Sequence, residues 1–437
     1  MPGDVVPFSP RCLEPPEIAL YLRVGYSDHG RCDRLMAADE MPIRRFVFEA
    51  GNVQRQSSLI SEARRRYDEL VLDTTAAELS AIGCYGGSAK HAPWARYDRP
   101  LEPADFEGAK GEALVERIAE FAVAYGFTAV LAPAHLLSGE ERWFKIDCEL
   151  CASLRRNLDR RGRQDIAVDY PLIIPEEMLC NRQYRRIIIE RLRPLPFEHL
   201  WLRIAGFGID TSATRLRRII LASGQLHQIG RPVIADRVGG MAALATTAFG
   251  AASGFAHGLE GKERFDAKHW RKANAKRGFG TGRMIYIDAL DRRLPVSRVR
   301  RLFETSETVR RILACRDQSC CSRTEDMLET PERHFLRDRA AAIATLSRIP
   351  SGLRAERFVA GPLDRLRERA AQAEGLRRLD DDARGMIARA RTRLDRSIGM
   401  LTQLYETLGP LPLATTPFAR IAPMRGSEPE MRDLFHG

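Results

Sequence analysis

Short apolar runs, many of them β-branched, alternate with stretches whose apolar residues recur at helical spacing from residue 21 to residue 259. This is the pattern of parallel strands joined by crossover helices. It predicts strands over 21–27, 44–51, 68–74, 127–133, 166–174, 199–208, 231–236 and 253–259. Helices are predicted over 57–67, 112–126, 148–162, 176–192, 211–230 and 241–253, and several end in Gly just before the next strand, as a helix C-cap does. Eight strands with intervening helices in this length fit an α/β fold of the (β/α)8, TIM-like barrel type, with a doubly wound open sheet as the alternative.

Beyond residue 261 the texture changes. A segment over 262–283 carries eight Lys or Arg against two acids, with Phe265, Trp270 and Phe279 among them. A short strand over 283–290 follows, and from His334 to Leu408 apolar residues sit at helical spacing in an Arg-rich background. The expected organisation is therefore a barrel over 1–290 and a helical C-terminal region over 291–437. The Pro- and Gly-rich end, 409–437, is expected to wrap the surface without regular structure.

Composition excludes several classes. Hydrophobic residues make up 44% and charged residues 29% of 437, which is ordinary globular usage rather than that of a disordered or fibrous chain. No apolar run reaches the length of a membrane span, and the first residues lack the order of a secretory signal, so a cytoplasmic protein without membrane association is expected. The nine cysteines then read as reduced thiols or metal ligands rather than a disulfide framework. An excess of 69 basic over 58 acidic residues, net +11, favours polyanionic partners, nucleic acid among them. A homodimer is compatible with the chain.

In a parallel barrel the loops at the strand C-termini converge on one mouth, so polar residues at strand tips are the candidates for chemistry. They are Glu49 with Asn52, Asp73 with Thr74, His135, Asp169, Arg203, Asp236 with Arg237, and His257. Glu49, Asp73, Asp236 and His257 are the candidate catalytic groups, because carboxylates sharing a dry mouth can be driven to different pKa values. The Gly239–Gly240 turn after Asp236 opens a helix and resembles an anion-binding backbone turn, with Arg203, Arg237, Lys262 and Arg264 as companion cations. The basic segment could follow a polynucleotide backbone while Trp270 or Phe279 stacks on a base. Cys315, Cys320, Cys321 and His334 could supply the four ligands of a structural zinc ion, whereas Cys148 and Cys151, one helical turn apart, read as core packing.

This layout of barrel, basic segment and post-barrel Cys/Cys/Cys/His cluster resembles the tRNA-guanine transglycosylase superfamily and its DNA-acting relatives. The segment FEAGNVQ (48–54) is similar to that family's Asp-Ser-Gly-Gly-Phe-Gln stretch, which aligns Glu49 with a base-recognising or acid/base Asp. The last strand departs from the pattern, since SGFAHGL offers His257 where the family carries a nucleophilic Asp. The interval before His334 is also shorter than the family's. The resemblance implies exchange or removal of a purine-type base at a glycosidic bond in tRNA or DNA, with Asp236 or Asp73 as the nucleophile. Two further readings stand beside it: a barrel enzyme for a small phosphorylated substrate using Asp236, the Gly-Gly turn and His257, and a non-catalytic adaptor that binds nucleic acid or protein.

Overall fold

A computed structural model describes residues 17–66, 68–83, 87–259, 261–271, 282–377 and 379–408. Eight parallel strands close into a barrel in chain order. They are β1 (Ala19–Val24), β2 (Arg45–Glu49), β3 (Glu69–Asp73), β4 (Ala129–Leu131), β5 (Ala167–Pro175), β6 (Leu200–Ala205), β7 (Val233–Asp236) and β8 (Gly254–Gly258). Closure is made by β1 against β8, with Ala19 opposite Gly254 and Arg23 opposite Gly258. Each strand is overlapped by a run that its sequence pattern predicts.

Alternation along the strands sets two faces. Ala19, Tyr21, Val47, Val71, Ala129, Leu131, Ala167, Trp201, Ile234 and Ala256 fill the barrel interior as one cluster. Four of these inward residues are alanines on β1, β4, β5 and β8, which leaves room for Trp201, packed edge-on to Tyr21 at 4.8 Å between ring centroids. The Trp201 indole N–H donates to the carboxylate of Asp169 at 2.8 Å. Asp169 also accepts from the backbone and ring nitrogens of His199. Asp169 was expected at a strand tip, but β5 runs on to Pro175, so Asp169 lies near that strand's start and ties the lower barrel together.

Helices clothe the outside. The predicted helix over 176–192 is broken into Glu176–Cys180 and Arg182–Leu192, because the Asn181 side chain accepts from the Gln183 and Tyr184 backbone and caps a new helix. Cys151 is fully buried in the barrel's outer core and Cys148 packs against it. After the barrel, an antiparallel hairpin of β9 (Met284–Ile287) and β10 (Arg292–Pro295) leads into the helical region. That region has its own small core around Ile285, Leu313 and Ile387. Its helices Pro331–Ser347 and Asp381–Leu408 also place Phe335, Leu336, Leu394 and Leu401 into the same core as the barrel's outer face. Barrel and helical region are thus packed together through shared apolar burial. Among the described residues, no helix is long and apolar enough to cross a membrane. The segments 272–281, with Phe279, and 409–437 lie outside the described residues.

Candidate functional site: a charged barrel mouth and a thiol cluster

At the C-terminal end of the barrel the interior changes from apolar to fully charged. Arg23, on β1, points inward and lies at the centre. Its Nε and Nη2 donate to the two carboxylate oxygens of Asp236 at 2.5 and 2.8 Å, and its Nη1 donates to Asp73 at 2.7 Å. Arg203 binds the same two acids, through Nε to Asp236 at 2.8 Å and Nη2 to Asp73 at 3.1 Å. Asp73 accepts in addition from the Thr75 backbone N–H. This floor of two arginines and two aspartates is buried, with no more than 7% of any of these side chains exposed. Burial alone would raise both carboxyls; the two guanidiniums overcome it and hold Asp73 and Asp236 below the usual carboxylate range.

A second layer sits above. Glu49 accepts from the Lys262 ammonium at 2.6 Å and from Asn52 at 3.2 Å. Glu78 accepts at one oxygen, Oε1, from Arg203 at 3.2 Å and from Arg237 at 2.8 Å. The Arg237 guanidinium also reaches Glu49, at 3.4 Å, so one cation joins two carboxylates. These side chains are 12–23% exposed, which makes them the outer layer of the network. Against the cost of burial, Lys262 and Arg237 hold Glu49 below its ordinary pKa, so it is ionised at neutral pH. The Oε2 atom of Glu78 is buried and has no donor. Three residues around this mouth adopt left-handed backbone without being glycine: Thr75 (φ 54), Arg237 (φ 58) and Lys262 (φ 56). Such conformations cost of order 1–3 kcal/mol each and cluster at functional sites.

The segment after β8 closes the mouth. The Phe265 carbonyl accepts from Gly206, the Glu263 carbonyl accepts from Ile209 and Gly239, and the Trp270 carbonyl accepts from Gly83. Phe265 and Trp270 pack on each other and on Ala77 and Ile173, over the charged floor. Trp270 is 7% exposed, so it is a plug residue and not the face for a stacked base that the sequence suggested. Arg264 is exposed on the outer side of the same segment, bridged to Gly208.

Several expected roles are corrected by this geometry. His257 alternates with the inward Ala256 and therefore faces outward, 5.1 Å from the Phe335 ring, under the helical region. Burial and the nearby Arg339 push it down to about 3, so it is neutral and remote from the mouth. The Gly239–Gly240 turn does not form an open anion site. A side chain at Gly239 would collide with the Glu263 carboxylate, and one at Gly240 (φ 63) would come within 2.6 Å of Asp291 Oδ1. Asp291 already accepts from the Met241 N–H at 2.8 Å, so the helix N-terminus is satisfied by this chain's own carboxylate. Arg203 has Nε and Nη2 engaged within the floor and Nη1 on Glu78 above it, rather than open to a ligand. His135 faces Asp147 (Nδ1 to Oδ1, 2.5 Å) and stacks on Trp143 at 3.9 Å, outside the charged network.

Arg23 and Glu78 belong to the network and were not anticipated. Alternation was the available signal for Arg23, since YLRVG places it on the same face as Tyr21. Glu78 lies in a helical turn, Ala76–Leu79, five residues past the tip of β3, and carries no motif.

The second centre is the thiol cluster. The ligand atoms of Cys315, Cys320, Cys321 and His334 all lie within 4.8 Å of one another. The Sγ atoms of the adjacent Cys320 and Cys321 are 3.7 Å apart, and each is 3.5–3.6 Å from His334 Nδ1. Metal–sulfur bonds of about 2.3 Å in a tetrahedron separate sulfurs by about 3.8 Å, so the spacing fits four ligands around one ion. Hydrogen bonds from Cys320 and Cys321 pull the Cys315 thiol below its ordinary range. The four residues could therefore hold a metal ion.

No family model matches the sequence, and no curated protein matches it. Solved barrels are similar in outline. A type I 3-dehydroquinate dehydratase from Clostridium difficile is 9% identical, covers 59% of this chain and 90% of its own, and has a TM-score of 0.36. An endo-1,4-β-xylanase from Penicillium canescens is 8% identical over 54% of this chain and 81% of its own, also at 0.36. An intracellular xylanase from Thermoanaerobacterium saccharolyticum is 9% identical over 60% and 90%, at 0.35. The architecture rests on the strand pairings of this chain itself: a closed (β/α)8 barrel followed by a helical region.

Proposed function

We propose that the barrel mouth is the reaction centre of a transglycosylase-like enzyme that exchanges or removes a purine-type base at a glycosidic bond in tRNA or DNA. The observation that carries this reading is the pair of Glu49, at the tip of β2, and Glu78, in the helical turn that follows β3, both bonded by the one guanidinium of Arg237. Cleavage of such a bond builds positive charge on the anomeric carbon, and an ionised carboxylate stabilises or captures it. Glu49 is kept ionised by Lys262 and Arg237, which suits the role of nucleophile or base and excludes that of proton donor at neutral pH. Glu78 offers an oxygen with no donor to compete for it. Asp73 and Asp236, each gripped by two arginines, set the floor and leave the chemistry to the upper layer.

Two further features support the reading. The Cys/Cys/Cys/His set follows the barrel in the order that the family resemblance implies, and it fits a closed tetrahedral site, which we read as structural zinc. The chain's net charge of +11 favours a polyanionic substrate.

The test is incorporation of radiolabelled guanine into tRNA and into duplex DNA by the purified protein, with Glu49→Gln and Glu78→Gln alongside. Incorporation by the wild type and its loss in both variants is the expected result. Absence of both exchange and low-salt binding to either polynucleotide would overturn the proposal.

A further inference from the structure

Away from the barrel mouth, a cavity of about 400 Å³ opens between the helix Pro331–Ser347, the helix Asp364–Glu374 and the connection that carries Asp288. One wall is apolar, made of Leu244, Leu346, Phe358, Pro362 and Leu366. Phe358 and Pro362 flank or lie in a π-helical turn, Val359–Leu363, a local widening that recurs at functional sites. The other wall is charged, with four arginines, Arg316, Arg339, Arg365 and Arg369, facing three acids, Asp288, Asp338 and Glu368, a surplus of one positive charge.

The arginines are unequally engaged. Arg369 is tied to Asp288 and to the carbonyls of Ile312 and Ala314, so it is structural. Arg339 is 2% exposed, its guanidinium 4.2 Å from the Tyr286 ring centroid and 5.5 Å from that of Phe335. Its Nε and Nη2 are buried without a hydrogen-bond partner. A buried guanidinium with unmet donors costs free energy unless an acceptor arrives. Arg316 and Arg365 are exposed at the cavity and take part in no ion pair or hydrogen bond among the described residues.

We propose that this cavity binds a small organic oxyanion, a phosphate or carboxylate head group carried on an apolar body. The head meets Arg339, Arg316 and Arg365, whose paired N–H groups match two oxygens of a carboxylate or phosphate. The body lies against Leu346, Phe358, Pro362 and Leu366. The volume falls within the range of small-molecule sites, about 300–1,000 Å³. The site stands apart from the chemistry of the barrel mouth and does not depend on it.

Titration calorimetry on the full chain, as purified, tests this with phenyl phosphate and benzoate, against inorganic phosphate and benzylamine. Binding of phenyl phosphate or benzoate with a Kd at or below about 1 mM is expected, and benzylamine is expected to give no heat. Arg365→Glu combined with Arg316→Glu, both at exposed positions, is expected to weaken that binding by about tenfold or more. Arg339→Lys, which keeps the charge and loses the paired donors, is expected to weaken it as well. No binding by either aromatic anion, or equal binding by the double variant, overturns the proposal. Inorganic phosphate binding as tightly as phenyl phosphate overturns the part that assigns an apolar body.

Discussion

Replacing Arg23 by Met should remove the centre of the mouth while keeping the volume of its side chain. Arg23 is fully buried and donates three hydrogen bonds to Asp236 and Asp73. Without it, two buried carboxylates share Arg203 alone. Breaking a buried ion pair at one partner costs about 3–5 kcal/mol, because the other partner stays charged and desolvated. For 437 residues the unfolding entropy is about 0.9 kcal/mol/K, so the Tm should fall by about 3–6 °C in scanning calorimetry at pH 7. The pH dependence is the sharper test. In the wild type both carboxyls are held below the usual range, so their contribution is complete above the unfolded value of about 3.9 and is lost as the pH falls through the folded value. In Arg23→Met burial prevails, the folded values rise above the unfolded ones, and the deficit should shrink as the pH drops from 7 towards 4. Adding Asp236→Leu to Arg23→Met should restore most of the loss. A deficit that is constant with pH, or a double variant no better than the single one, would refute the account.

Purified protein should contain about one equivalent of zinc by elemental analysis, and Cys320→Ser or His334→Ala should remove it along with several degrees of Tm. Phe265→Ala should cost about 3–5 kcal/mol and speed hydrogen exchange at the amides of Gly206 and Ile209, which bond to the plug segment; unchanged exchange there would mean that the plug does not depend on that ring. Gly51→Ala should destabilise, because its new methyl would run into the Ser88 carbonyl, whereas Gly30→Ala, within the helix His29–Ala37 and with open space around it, should gain about 0.5–1 kcal/mol. Urea denaturation of the two variants decides both.

The barrel was legible because strand alternation and helix spacing are local properties of the chain. Strands such as β5 and β8 could be placed to within a few residues from apolar runs alone. What a side chain meets across the barrel is not local. Asp236 and Asp73 looked like reactive acids at strand tips, and nothing near them in the sequence reveals Arg23, 213 positions away from Asp236. His257 was assigned to the mouth by its place at a strand end, yet a single step of the two-residue period turns it to the outer face. Trp270 and the Gly239–Gly240 turn failed for another reason. Both were read as open to a ligand, and both are filled by this chain's own segments, Phe265 beside the indole and Asp291 at the helix N-terminus.

The charges of the mouth explain why its layers must differ in role. Arg23, Arg203, Arg237 and Lys262 balance Asp73, Asp236, Glu49 and Glu78 one for one, so the network is neutral as a whole. Neutrality makes such burial tolerable, but it also quiets any acid whose oxygens are all taken. Asp236 accepts three bonds from two guanidiniums, and its charge has no more to offer a developing cation. Glu78 is different, since both of its donors converge on Oε1 and leave Oε2 bare. On the proposed reading, an oxygen held in place with no protein donor keeps its stabilising power for positive charge that develops beside it. By the same reading, the left-handed backbone at Thr75, Arg237 and Lys262 would fix the clamp around Glu49 and Glu78 before a substrate arrives.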